Sequence, residues 1–449
     1  MKKVRVKRKK GVIPPRGKKR TPVLGRRVSG RRILWKRVFC ALIPVAVALA
    51  VFFWITGHQT TAVFRAAEDG AVSYGADSGA AFYSYRSKDF FFCTKDGVQY
   101  LSAKGEKLWD DPLSLTAPIL SAKCGVIAVS EVRGRAVYVY DANGKLFEQR
   151  FDDPILTFSV NQAGIVTVIL QKPADKYSIE AYAPGDSPGD PSDNRSDVRL
   201  DNRPGIRNAR RILYNEWLRP NIYPVSADIS PDGRIAAIGF LDVNMDAGAD
   251  MTSNITFLYI NQEEARGLID LAFASEKRPD QMINTVRFME NNKLLTVYDE
   301  TIECLHPQPD NSIQSAWTIH LRNQIDRLAY AGDQGFAFTT GDSLIGESLI
   351  GDSPTGASLP DKSGCLYFYS MTGQKTGAYA FGGKADSLSL DWNSALVGSG
   401  GDYYAVSGRG RLLWKYAARD ARQIIFVGNS RSILLGDDHS AAVMRLGGK

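Results

Sequence analysis

Val98-Gln-Tyr-Leu-Ser-Ala-Lys-Gly105-Glu-Lys-Leu-Trp109 is a strand-forming run, a tight turn built on a glycine, and a second run that ends in tryptophan. The plan returns three times, in Val137-Tyr-Val-Tyr-Asp-Ala-Asn-Gly144-Lys-Leu-Phe147, Leu366-Tyr-Phe-Tyr-Ser-Met-Thr-Gly373-Gln-Lys-Thr376 and Tyr403-Tyr-Ala-Val-Ser-Gly-Arg-Gly410-Arg-Leu-Leu-Trp414. β-branched and aromatic residues suit a half-buried pleated surface, and the glycine supplies the positive φ that a short hairpin turn requires. One hairpin recurring between residues 98 and 414 points to a repeat architecture.

A second template precedes the hairpin, an apolar strand, a turn and a buried strand. It reads as Ile155–Val160 then Gly164–Leu170, Ala227–Ser230 then Arg234–Phe240, Ile325–Ala329 then Gly335–Thr339, and Ser387–Leu390 then Ser394–Val397. Template and hairpin together make a four-stranded unit of about 35–45 residues, the blade of a β-propeller. Units fall near residues 80–115, 116–152, 153–200, 224–274, 283–322, 325–382 and 386–418. Ile424–Val427, Ser432–Leu435 and Ala441–Leu446 leave a last unit one strand short, and a strand around Thr61–Arg65 completes it by joining the two chain ends. The expected fold is all-β, a β-propeller of about eight four-stranded blades (seven is the alternative count) preceded by one transmembrane helix. Long helical periods are nearly absent, which disfavours a parallel βαβ fold. Two insertions interrupt the repeat, at 184–210 and 341–363, and Ile206–Leu218 carries a helical spacing of Ile206, Arg210, Leu213 and Trp217.

Charge is distributed unevenly along the 449 residues. Of the 56 Lys and Arg, 17 lie in residues 1–37, which hold no acidic residue; 39 basic face 48 acidic side chains in the other 412, a net of −9. The basic tail is broken by Pro14, Pro15, Gly11, Gly17 and Gly25 and is expected to be disordered. Residues 38–56 carry no charge, and at 1.5 Å per residue they span roughly 28 Å, a bilayer's hydrocarbon thickness. Trp35 and Trp54 stand near its ends, where indoles favour the interface. The positive-inside rule puts the tail in the cytoplasm and the rest of the chain outside, across a linker at 57–79, as a retained signal anchor. Thr56-Gly57-His58-Gln59-Thr60 offers no small-residue cleavage site for a signal peptide. Anionic lipid is the expected partner of the tail, and with no aromatic residue among its charges before Trp35, nucleic acid is not.

The Gly-x-x-x-Trp ends at 105–109 and 410–414 resemble quinoprotein-type blades, and Ser230-Pro-Asp-Gly233-Arg234 before an apolar strand resembles WD40-like repeats. The whole layout is similar to an uncharacterised family, a domain of unknown function, of single-pass membrane-anchored bacterial β-propellers. Gly239-Phe-Leu-Asp-Val-Asn244 and Ser253-Asn-Ile-Thr-Phe-Leu-Tyr259 are its most recognisable stretch. That resemblance implies fold and topology and no activity.

Chemistry-bearing motifs are sparse. Asp242, Asn244, Asp246 and Asp250 alternate oxygen donors as a Ca²⁺ loop does, but Gly248 is one place late and Ser253 stands where the bidentate Glu belongs. These are a weak calcium candidate, and hairpin tips favour the same residues. No other metal, cofactor or catalytic set is expected. Cys93, Cys124, Cys304 and Cys365 have no Cys-x-x-Cys spacing; a Cys93–Cys124 pair is conceivable between neighbouring blades, and buried thiols are the simpler reading. His58, His306, His320 and His439 share no metal spacing. Asp110-Asp111, Asp152-Asp153 and Asp437-Asp438 are adjacent, so their carboxylates diverge and do not suit a glycosidase pair. The tryptophans read as wedges between blades rather than as a quinone site.

The expected function is that of a membrane-tethered, extracytoplasmic scaffold that binds an envelope protein or a wall polymer. One alternative is a quinoprotein-like or hydrolytic enzyme, recognisable by three or more ionisable residues gathered in a pocket on the axis. Another is a sensor coupled to the basic tail.

Overall fold

The computed structural model describes residues 64–74, 79–85, 89–174, 176–185, 208–217, 221–243, 251–260, 272–279, 281–308, 310–332, 334–341, 363–391, 393–419, 421–437 and 439–446. Every regular element among them is a strand, and they form eight antiparallel sheets of four. Blade 1 is β2 (Ala81–Tyr83), β3 (Phe90–Thr94), β4 (Gly97–Leu101) and β5 (Lys107–Pro112). Blade 2 is β6 (Pro118–Lys123), β7 (Val126–Glu131), β8 (Ala136–Asp141) and β9 (Gly144–Arg150). Blade 3 is β10 (Ile155–Val160), β11 (Val166–Lys172), β12 (Lys176–Pro184) and β13 (Ala209–Trp217). Blade 4 is β14 (Ile222–Ile229), β15 (Ile235–Asp242), β16 (Thr252–Tyr259) and β17 (Ala272–Pro279). Blade 5 is β18 (Ile283–Phe288), β19 (Leu294–Tyr298), β20 (Thr301–Pro307) and β21 (Ile313–His320). Blade 6 is β22 (Ile325–Tyr330), β23 (Phe336–Thr340), β24 (Ser363–Tyr369) and β25 (Lys375–Gly382). Blade 7 is β26 (Ser387–Asp391), β27 (Ser394–Ser399), β28 (Asp402–Ser407) and β29 (Leu412–Ala417). Blade 8 joins β30 (Gln423–Val427), β31 (Asn429–Gly436) and β32 (Ser440–Leu446) to β1 (Phe64–Ser73), which pairs antiparallel with β32 from Phe64↔Leu446 to Ser73↔Ser440.

First strands of neighbouring sheets meet, β6, β10, β14 and β18 in succession and β22, β26, β30 and β2 likewise, so the first strand lies innermost and the fourth outermost. Eight hydrophobic clusters fill the spaces between sheets, one per interface. An open row of eight sheets has seven interfaces. The eighth, in which Phe82, Phe90 and Phe92 of blade 1 pack on Ile425, Val427 and Leu434 of blade 8, closes the ring. Closure leaves no edge of a long sheet for another chain to extend.

The hairpin glycines behave as their sequence requires. Gly105, Gly144, Gly373 and Gly410 take φ of +78°, +130°, +77° and +77°. At Gly373 a side chain is also excluded by space, because a Cβ would stand 2.6 Å from the Trp317 ring of the preceding blade. In blades 1 to 7 the outermost strand carries one extra residue against its partner, at Leu108, Leu146, Ile212, Phe273, Ala316, Thr376 and Leu413. A bulge re-aims the next side chain. The residues that follow include Trp109, Phe147, Leu213, Trp317 and Trp414, which join the clusters shared with the next blade. Trp109 Nε1 donates to Ala142 O at 2.9 Å, and Trp317 Nε1 to Met371 O at 3.1 Å. Trp109, Trp317 and Trp414 are therefore wedges between blades.

One expectation needs correction. Within Ile206–Leu218, where a helical spacing was read, Ala209–Trp217 is the outermost strand of blade 3, paired with β12 from Tyr177↔Trp217 to Pro184↔Ala209. The bulge at Ile212 places Ile212 and Leu213 both inward, and this break in the two-residue period imitated a helical one. The closing strand expected around Thr61–Arg65 is described over Phe64–Ser73, so it includes Phe64 and Arg65 and runs on to Ser73. Residues 1–37 and 38–56, most of both insertions, and Asn244, Asp246 and Asp250 lie outside the described residues. Among the described residues no helix is long and apolar enough to cross a membrane.

Removing residues 1–73 takes away β1 and is expected to lower the urea midpoint and broaden the transition, measured by tryptophan fluorescence. Trp317→Phe keeps the ring and loses the indole bond, so a smaller loss of about 1 kcal/mol is expected.

Candidate functional site

Eight innermost strands enclose a wider axis than side chains fill unaided. Here blades 2 to 5 draw together across it. Lys123, the last residue of β6, donates from Nζ to Asp228 Oδ2 of β14 at 3.1 Å and to the Phe288 carbonyl of β18 at 2.7 Å. The Asp228 carboxylate also accepts the Phe288 amide at 2.8 Å, the Ile229 amide at 2.9 Å and the Ser159 hydroxyl of β10 at 3.3 Å. The two side chains are only 6% and 3% exposed. Burial pulls the Lys123 pKa down, and the neighbouring Asp228 carboxylate opposes that shift. A buried charge pair of this kind is weak evidence for net stability, but removing one partner strands the other at a cost of about 3–5 kcal/mol.

Arg287 reinforces the crossing from blade 5. Its Nη2 donates to Ala122 O of blade 2 at 2.9 Å, and its guanidinium lies 4.5 Å from the centre of the Tyr330 ring. Cys124, held at φ +50° in the turn after β6, donates its thiol to Glu290 Oε1 at 3.1 Å. The Gly125 amide donates to the Tyr83 hydroxyl at 3.3 Å. Beside this crossing, on the side of blades 1, 6 and 7, lies a cavity of about 430 Å³ lined by Tyr83, Tyr85, Lys123, Cys124, Arg287, Glu290 and Tyr330. A second hollow of about 270 Å³ shares Tyr83, Tyr85 and Tyr330 with it and extends to Asp391 and Gln423. The larger one falls within the size range of small-molecule sites.

The axis thus gathers four ionisable groups, Lys123, Cys124, Arg287 and Glu290, beside three tyrosines. Burial raises the Cys124 pKa, with Glu290 adding to the rise, so the sulfur stays a thiol rather than an activated nucleophile. Burial pushes the Tyr83 and Tyr330 phenols up to about 12, so both remain protonated at neutral pH. The Tyr330 hydroxyl is buried without a hydrogen-bond partner.

The residues singled out in sequence lie elsewhere. Asp242 ends β15 opposite Ile222 and Thr252. Among the described residues no three His, Cys, Asp or Glu side chains group as a metal set. Cys93, Cys124, Cys304 and Cys365 are all free, and all but Cys124 are buried. His306 Nδ1 meets Gln308 at 2.9 Å, and His439 sits in a turn whose amide donates to Asp437. Asp110 pairs with Lys107 at 3.0 Å, whereas Asp111 pairs with Lys145 at 2.6 Å and accepts the Tyr140 hydroxyl, so these adjacent carboxylates do diverge. Sequence reasoning missed Lys123, Asp228 and Arg287. Their signal was a charge at or near the end of an apolar inner strand, in Pro118-Ile-Leu-Ser-Ala-Lys123 and Val225-Ser-Ala-Asp228-Ile229.

Fold and site define an eight-bladed propeller with a pinched axis. The chain belongs to a family of unknown function, DUF5711, whose model matches residues 69–189 and 212–446. No curated protein matches it. Among solved structures it is similar to BamB from Moraxella catarrhalis, at 10% identity over 85% of this chain and 100% of that one, TM-score 0.46. It is also similar to the β-propeller domain of Cps50 (Swd1) from Myceliophteria thermophila, at 9% identity over 86% and 100%, TM-score 0.43.

Lys123→Met is expected to cost about 3–5 kcal/mol in urea unfolding, and Lys123→Met with Asp228→Leu much less, because the double variant strands no charge. The raised phenols stabilise the fold fully below about pH 10, and this is lost as pH climbs toward 12. The thermal midpoint should fall across that window, and fall less in Tyr83→Phe/Tyr330→Phe.

Proposed function

We propose that the protein is a membrane-tethered propeller that serves as a binding scaffold for an envelope protein on the outer face of the cytoplasmic membrane. The charge step at residues 1–37, the uncharged run 38–56 and the seven residues between that run and β1 support the tether. The basic tail then lies on the cytoplasmic side against anionic lipid. The bulge-aimed tryptophans of blades 1, 5 and 7 support blades of the quinoprotein-like kind.

One observation carries the binding role. Because every innermost strand runs in the same sense, all of them begin on one face of the ring. On that face blades 2 to 5 expose Ile119, Val132, Leu156, Tyr223 and Met282, each between 38% and 61% accessible. All but Val132 lie at the start of an innermost strand, and Val132 follows the end of β7 on the same face. Isolated exposed apolar residues are ordinary, but an arc of them over four successive blades is the usual mark of a protein-contact surface.

Photo-crosslinking side chains placed at Val132 and Leu156 in intact cells are expected to give the same discrete adduct. A probe at Leu413, on the opposite face, should give none. Leu156→Asp should abolish the adduct from position 132. Equal adducts from all three positions, or none, would contradict the proposal. External protease should remove residues 59–449 from intact cells, and full protection there would overturn the topology.

A further inference from the structure

We propose that the axial cavity is a binding site for a small ligand bearing an oxyanion, a carboxylate or a phosphate group, received by the free edge of Arg287. A guanidinium offers two forks of paired N–H donors, one between Nε and Nη2 and one between Nη1 and Nη2. Among the described residues the one hydrogen bond from Arg287 is Nη2 to Ala122 O, which occupies one Nη2 hydrogen and leaves one complete fork. No described carboxylate lies within ion-pairing distance of it. The other lining cation, Lys123, is satisfied by Asp228 and the Phe288 carbonyl.

Among the cavity's other polar groups, Tyr83 offers a donor to an acceptor-rich guest. The Tyr83 hydroxyl oxygen accepts the Gly125 amide, and its hydrogen has no acceptor among the described residues. Glu290, in the turn at one end, takes the Cys124 thiol, and Asp391 stands in the smaller hollow away from the crossing. Stacking on Tyr330 and the bond to Ala122 fix the plane of Arg287, so little side-chain freedom is lost when two oxygens dock in its open fork. This site lies on the axis, where the innermost strands end. It stands or falls independently of the apolar arc at their starting face.

The test is calorimetric titration of the full-length protein in detergent with inorganic phosphate, with succinate, and with succinamide as the uncharged control. Saturable binding of phosphate or succinate, and none of succinamide, is expected; the tighter of the two identifies the headgroup chemistry. Arg287→Gln should weaken that binding about 10- to 100-fold, and Arg287→Lys should recover part of it. Ala329→Leu narrows the cavity while leaving Arg287 in place, and it should also weaken binding. No saturable binding to either anion would overturn the site. So would binding that survives both Arg287→Gln and Ala329→Leu, which locates the anion on the outer surface.

Discussion

A buried ammonium held by one carboxylate and one backbone carbonyl sets the shape of this propeller. An eight-bladed ring has more perimeter than its inner side chains can fill, and water is the default occupant of the space left. Lys123 spans that space. It reaches blade 4 through Asp228 and blade 5 through Phe288 O, while Asp228 gathers Ser159 of blade 3 and the Phe288 amide. Four blades are thus tied to one ion pair, and the axis becomes a closed crossing with a cavity to one side. The ammonium and the carboxylate spend most of their hydrogen-bonding capacity inside the protein, which is the condition under which such a pair persists out of water.

The perimeter is held by a different device, repeated. Each blade from 1 to 7 has a bulge in its outermost strand, and in blades 1, 2, 3, 5 and 7 the side chain after it packs into the cluster shared with the next sheet. Where that side chain is Trp109 or Trp317 the indole N–H donates to a turn carbonyl of the neighbour. Where it is Phe147 or Leu213 apolar burial alone suffices. Blade 8 gets its outermost strand from the other end of the chain, so the ring cannot close until β1 docks. Rigid closure of this kind suits a protein that presents surfaces, because the residues at the starts and ends of the inner strands are fixed relative to one another.

Much of this was legible in the sequence, and for physical reasons. The hairpin glycines announced themselves because a positive φ excludes most other residues, and blade spacing followed from them. A three-stranded last unit implied a strand from the N-terminal side, and β1 supplies it. Ile212-Leu213 misled, since a bulge puts adjacent residues on one face and mimics helical periodicity. The axial site was hidden for a deeper reason. Lys123 and Asp228 are 105 residues apart, and Arg287 meets Ala122 across 165, so no local spacing connects them. What sequence does show is a charge at or near the end of an apolar inner strand, and burial there demands a partner.

The pinched axis is tested most directly at a single amide. Phe288 N–H has Asp228 as its partner, at the point where an open channel would instead offer it water. Site-resolved hydrogen–deuterium exchange should find this amide exchanging as slowly as those in the central strands of its blade, through global unfolding alone. Exchange at the rate of an exposed loop would mean that the axis is open in solution and that Lys123 does not bridge the blades.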